Sequence, residues 1–201
     1  MALNSFCSDL CPDICTGGLS LPALPAVQDC FTTADFKESQ VSDLIIAAPA
    51  GITNPTDPTS ASDWAAVIDN TDTTDAKWKH IVVEGDVAEP ELVEIETPKL
   101  GTIVSKYIYT LTAIVRKLDN TTYSFLKALQ CGSTDMTFVY GTVGGRLFYN
   151  GQGTPVEVGI SPSSVRVTFP LDGGREDVER AVITITWEAD CDPDRTTNPI
   201  S

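Results

Sequence analysis

Basic residues are scarce in this chain: 13 Lys and Arg stand against 28 Asp and Glu, a formal net charge of −15 over 201 residues. A surface with that surplus repels nucleic acid phosphates instead of neutralising them, which argues against a DNA or RNA binder of the usual basic kind. The scarcity is sharpest at the start, where Lys37 is the only basic residue among the first 76 and faces 11 acidic ones. The N-terminal part is therefore the more acidic surface. Long apolar runs are missing too. Nothing approaches the roughly 20 residues of a membrane-spanning helix, so no membrane span is expected. Residues 1–4 lead into acidic, Pro-rich sequence without a basic stretch followed by an apolar one, so no secretory signal is expected either.

Histidine is limited to His80. A hydrolase triad needs a nucleophile, a base and an orienting acid, and one imidazole allows one such set at most. His80 falls in the strand-like run KWKHI at 77–81, and no Gly-rich nucleophile turn supplies a serine partner. It reads as an ordinary strand residue. Phosphate loops need glycines that open a helix after a strand, and Gly17-Gly18, Gly144-Gly145 and Gly173-Gly174 all lack that setting. The carboxylates Glu84, Asp86, Glu89, Glu91, Glu94 and Glu96 could in principle pair for glycoside chemistry, but a run of like charge reads first as a solvated edge. Neither 69–75 nor 190–194 has the spacing of a calcium loop. Asn120-Thr121-Thr122 fits a glycosylation sequon and reads more simply as a helix start. No catalytic residue, cofactor or metal is expected, and the chain reads as a non-enzyme.

Cysteine is present in an even number: Cys7, Cys11, Cys15, Cys30, Cys131 and Cys191. The first three recur every fourth residue, yet Pro12 interrupts any helix there. A metal site would want closely paired Cys or a nearby His. Inert thiols, disulfides and a metal site all stay open for the N-terminal four.

What the chain does have is strand pattern. With hydrophobic residues at 42% and charged ones at 20% it has the composition of a folding domain. Residues 1–30 alternate Cys, Pro, Gly and Leu without a period, and 1–40 read as an extended arm. The run LIIAA at 44–48 predicts a buried strand. Ser62 or Asp63 is positioned to cap a short helix over 64–68. Strands follow at 78–84 and 91–96, the second with Val93 and Ile95 opposite an acidic face. The longest alternation is 105–117, where Tyr107, Tyr109, Leu111, Ala113 and Val115 share one face. A helix is predicted over 122–131, capped by Asn120 or Thr121, with Phe125, Leu126 and Leu129 as its apolar stripe. Hairpins follow: 136–149 about a two-residue Gly144-Gly145 turn, and 165–187 with its tip at 171–175. In the latter, Val165, Val167 and Phe169 face the same core as Ala181, Ile183, Ile185 and Trp187. The tail 191–201 lacks an apolar pattern and reads as an extended terminus. The expected architecture is mainly β: an antiparallel sandwich or barrel over 41–190 with one flanking α-helix, between an N-terminal arm and a C-terminal tail.

A folded, acidic, β-rich chain without a chemical site is more readily a module that binds or assembles, and open strand edges are the usual joining devices. The succession of strand 105–117, helix 122–131, hairpin 136–149 and hairpin 165–187 resembles that of bacteriophage tail tube proteins, over residues 100–190 and by order of elements alone. The resemblance implies a subunit that closes into a hexameric ring, with rings stacked into a tube whose acidic lumen passes DNA as cargo without specific nucleic-acid binding. It also implies copies of the chain and other virion proteins as partners, and a place in the virion after assembly in the host cytoplasm. About 100 residues precede the matching portion, and the arm with its four cysteines does not map onto that family; an insertion, an interlocking arm and a separate small domain are the readings open for them. Two alternatives stand beside it: a head decoration or head-to-tail connector protein, and a carbohydrate- or surface-binding β-sandwich module using Trp64, Trp78 and Trp187 as stacking rings.

Overall fold

The computed structural model describes residues 39–48, 52–73, 76–97, 101–116, 118–131, 136–151, 157–170 and 179–200. The N-terminal arm up to residue 38 and the 171–175 tip lie outside them. In chain order the elements are β1 (Val41–Ala47), α1 (Ala61–Val67), β2 (Lys79–Val87), β3 (Glu91–Thr97), β4 (Gly101–Val115), α2 (Asn120–Cys131), β5 (Thr137–Thr142), β6 (Arg146–Tyr149), β7 (Ser164–Thr168), β8 (Ala181–Ala189) and β9 (Asp194–Thr197). The nine strands form one antiparallel sheet in the order β7-β8-β4-β2-β1-β5-β6-β9, with β3 attached to β4.

This sheet curls onto itself. Trp187 of β8 lies with its ring centroid 5.4 Å from that of Phe138 and 6.0 Å from that of Tyr140, both on β5. In a flat sheet those strands, four steps apart at about 4.8 Å per step, would be separated by roughly 19 Å. One segment completes the closure: Ile160 exchanges backbone hydrogen bonds with Phe138, and three residues later the Ser163 amide donates to Thr186 of β8. β7 then continues alongside β8, so this stretch of chain links β5 to β8 across the opening of the curled sheet. The mainly β barrel-like architecture with a flanking helix expected from the alternation is thus present.

Alternation explains which side chains fill the barrel. Val165 and Val167 stand opposite Ile185 and Ile183, and Leu111 and Ala113 stand opposite the same two isoleucines from the other side. All six are buried. At Gly85 of β2 the partner strand comes so close that a Cβ would lie 2.3 Å from the Thr112 carbonyl oxygen, which is why a residue without a side chain sits inside this strand. From Leu44 to Ala47 β1 is buried on both faces, which accounts for the unbroken apolar run there. Its Leu44 and Ile46 join the barrel interior, while Ile45 and Ala47 join a second, outer core.

That outer core is closed by α1, which sets Trp64 and Val67 over the outer face of β1, β5 and β6. The Ser60 hydroxyl caps the helix by accepting from the Asp63 amide, so the cap falls before the expected Ser62 or Asp63. α2 covers the barrel beside β7. Leu126 is buried, with Phe125 and Leu129 packed against the same core, as the helical stripe predicts. Its cap is Asp119, whose Oδ1 accepts from the Thr122 amide at 2.7 Å; Asn120 and Thr121 already lie inside the helix. The turn between β5 and β6 also differs from expectation. Thr142 pairs with Arg146, leaving a three-residue loop in which Gly145 takes φ 71°. That left-handed residue lets a type I-like turn meet the right-handed strand twist.

Finally, the extended 191–201 tail is drawn into the sheet. β9 pairs with β6 over four residues. The Tyr109 hydroxyl donates to Asp192 Oδ1 at 2.7 Å and fixes the link from β8 to β9. Burial, then that hydrogen bond to a carboxylate, pushes the Tyr109 phenol well above its ordinary pKa.

Candidate functional site

The sheet leaves two kinds of feature that function could use, a His-centred cluster and a set of unpaired strand edges. Register brings His80 beside Asp43, because β1 and β2 place Ile45 opposite His80 and Asp43 opposite Val82. His80 Nε2 lies 2.7 Å from Asp43 Oδ1, and Ser42 Oγ donates to Asp43 Oδ2 at 2.6 Å. A serine, an aspartate and a histidine therefore do meet, in a set the sequence did not disclose. Their order differs from that of a nucleophilic triad, where the imidazole stands between hydroxyl and carboxylate. Here the carboxylate stands in the middle, so the Ser42 proton points to Asp43 and not to a base. Asn70 holds the backbone of His80 in a two-way hydrogen bond beside a cleft of about 610 Å³ that reaches to Asp119 and Phe125.

The hydrogen bond from His80 is the largest cause holding the Asp43 carboxyl below its ordinary range, opposed by burial and helped by Ser42. A carboxyl with a lowered folded-state pKa stabilises the fold above its unfolded pKa, and that contribution is lost as pH falls through the folded value. His80→Ala should therefore lower stability at neutral pH by about 1 kcal/mol, as for a partly exposed charge-assisted hydrogen bond. The difference from the parent should shrink in acid. Denaturant melts at pH 7 and pH 3 with the same gap between the two proteins would contradict the assignment.

The other candidates named from sequence are placed as follows. Glu84, Asp86, Glu89, Glu91, Glu94 and Glu96 are all exposed, Glu84 in a 2.7 Å contact with Arg116. Trp64, Trp78 and Trp187 are each at most 1% exposed. The proposed stacking rings are core residues, Trp64 against Trp78 in the outer core and Trp187 in the barrel. Cys131 carries a free, exposed thiol, whereas Cys191 is disulfide-bonded. Cys7, Cys11, Cys15 and Cys30 fall outside the described residues, as do Gly17-Gly18 and Gly173-Gly174. Among the described residues no group of three His, Cys, Asp or Glu is placed to hold a metal ion, and no helix is long and apolar enough to cross a membrane.

The unpaired edges follow from the uneven partnering of β4. Residues 107–115 of β4 are flanked by β8, but 101–106 have β3 as their only strand partner among the described residues. β3 and the start of β4 consequently leave the barrel as a two-stranded ribbon. The Lys106 ammonium grips Glu188 at 2.6 Å where the ribbon departs. A bulge between Val93 and Glu94 twists it. Glu91, Leu92, Glu94 and Glu96 of the ribbon are exposed, Leu92 by 53%. β9 has β6 on one side and no described strand on the other. The edge of β7 is treated differently, because Gln130 of α2 donates its side-chain amide to the Val167 carbonyl. Comparison of the chain with protein-family models, curated proteins and solved structures finds no match.

Proposed function

We propose that this chain is a structural subunit that works by joining copies of itself, and that the assembly is the stacked-ring tube of a phage-type tail. The observation that carries the reading is the β3–β4 ribbon. Two strands alone are marginal in water, and their outer edges present unpaired amides and carbonyls. A chain that extends such a ribbon beyond its own barrel gains little stability from it, whereas a neighbour that receives it gains hydrogen bonds and the burial of Leu92. The order of elements and the acidic surplus are consistent with a tube subunit, and a lumen bordered by carboxylates would let DNA pass without adhering.

Sedimentation velocity across a range of concentrations tests the association. Concentration-dependent growth to a closed species or to long polymers is expected, and a monomer at every concentration would contradict it. A second outcome concerns DNA. With a net charge of −15 the protein should show no retention of duplex DNA at about 150 mM salt. Tight binding that weakens steeply with added salt would show that the acidic surface is not what DNA meets.

A further inference from the structure

We infer that neighbouring copies join head to tail by strand addition, the free edge of β3 in one copy pairing with the free edge of β9 in the next. The inference rests on the self-assembly reading and specifies its contact. Three observations select these two edges. The first is protection: α2 covers part of the β7 edge through Gln130, while β3 and β9 have no such cover among the described residues.

The second is charge. β3 carries Glu91, Glu94 and Glu96, all exposed. β9 presents Arg195, also exposed, with Arg146 of β6 two positions away across the pair at Thr197. The one acid on β9, Asp194, is folded back: its Oδ2 lies 1.7 Å from where a side chain on Gly151 would begin. An acidic edge and a basic edge are complementary, and opposite charges across a strand pair favour it while like charges oppose it.

The third is symmetry. Pairing β3 with β3 across a two-fold axis would set glutamates against glutamates, so the acidic edge disfavours an isologous dimer. A β3–β9 contact joins different surfaces and repeats, and such contacts yield a ring when the rotation closes. Four residues of β9 against seven of β3 make each joint small. Ring closure, in which the last contact forms within the assembly, supplies the avidity that a single joint lacks.

Charge exchange tests this on the full chain, with sedimentation velocity as the readout and an unchanged melting temperature as the folding control. Arg195→Glu should raise the concentration needed for assembly about tenfold or more, as should Glu94→Lys combined with Glu96→Lys. All three changes in one chain restore complementarity between copies and should return assembly toward the parent level. Arg166→Glu, on the α2-covered β7, is a reversal of equal size and should leave assembly unchanged. Normal assembly of the Arg195→Glu protein, or a folded triple variant that stays as weak as the single ones, would overturn the β3–β9 joint while leaving self-assembly standing. A parent protein that never associates would instead remove the self-assembly reading, and this inference with it.

Discussion

Trp187→Ala should lower the stability of the subunit by about 3–5 kcal/mol, the range for truncating a large buried aromatic. The indole is fully buried and stacks on Tyr109, with ring centroids 5.1 Å apart and planes 9° from parallel. It also meets Phe138 and Tyr140 across the barrel, so one side chain ties β8 to β4 on one side and to β5 on the other. Aromatic pairs of this kind add about 0.5–1.5 kcal/mol beyond their buried area. The surrounding wall is hydrogen-bonded strand, which cannot collapse into the space left behind. Because a domain of this size loses roughly 2–4 °C per kcal/mol, a fall in melting temperature of about 6–20 °C is expected. Against total stabilities commonly near 5–15 kcal/mol, that loss removes a large share of the folding margin. An unchanged melting temperature by calorimetry would show that Trp187 is not the keystone of the barrel.

Removing the ribbon should have the opposite profile, with the fold kept and assembly lost. Val93 pairs with Lys106, so an Asn-Gly turn in place of residues 94–105 can close the shortened hairpin there. Every residue of β4 that pairs with β8 is retained in such a protein, from Tyr107 to Val115. The barrel interior contains no described side chain from the deleted stretch, so the melting temperature should move by no more than a few degrees. Self-association should fall below detection at concentrations where the parent protein assembles. A ribbon-less protein that still forms rings or tubes would place the joint elsewhere.

These contrasting profiles mirror how far the sequence discloses the molecule. Strands that line the barrel announce themselves, because one face must be apolar: Tyr109, Leu111, Ala113 and Val115 on β4, and Ala181, Ile183, Ile185 and Trp187 on β8, are legible from period alone. The helix α2 is legible from Phe125, Leu126 and Leu129. Its cap is displaced to Asp119 because several adjacent polar residues could serve, and only the backbone path selects among them.

Legibility fails where no core imposes a pattern. β9 is extended, yet its alternately half-exposed and exposed residues bury nothing large, so Asp194–Thr197 reads the same whether it pairs with β6 or trails in solvent. The ribbon is hidden for the same reason. The alternation of β4 identifies the portion inside the barrel and is silent on 101–104, where the strand continues with β3 alone. The Asp43–His80 contact is hidden differently, since it depends on the register between β1 and β2, residues 37 positions apart. The burial of all three tryptophans also follows from tertiary placement. Trp187 was foreseeable from its alternation with Ile183 and Ile185, whereas Trp64 and Trp78 became core residues only because α1 lies over the outer face of β1.

The central claim, that the protein acts by closing copies of itself into rings, is met most directly by negative-stain electron microscopy of the purified full chain over a range of concentrations. Closed annular particles of uniform diameter, or tubes built from them, are the expected result. Fields of single small particles at every concentration, in protein shown to be folded, would contradict it.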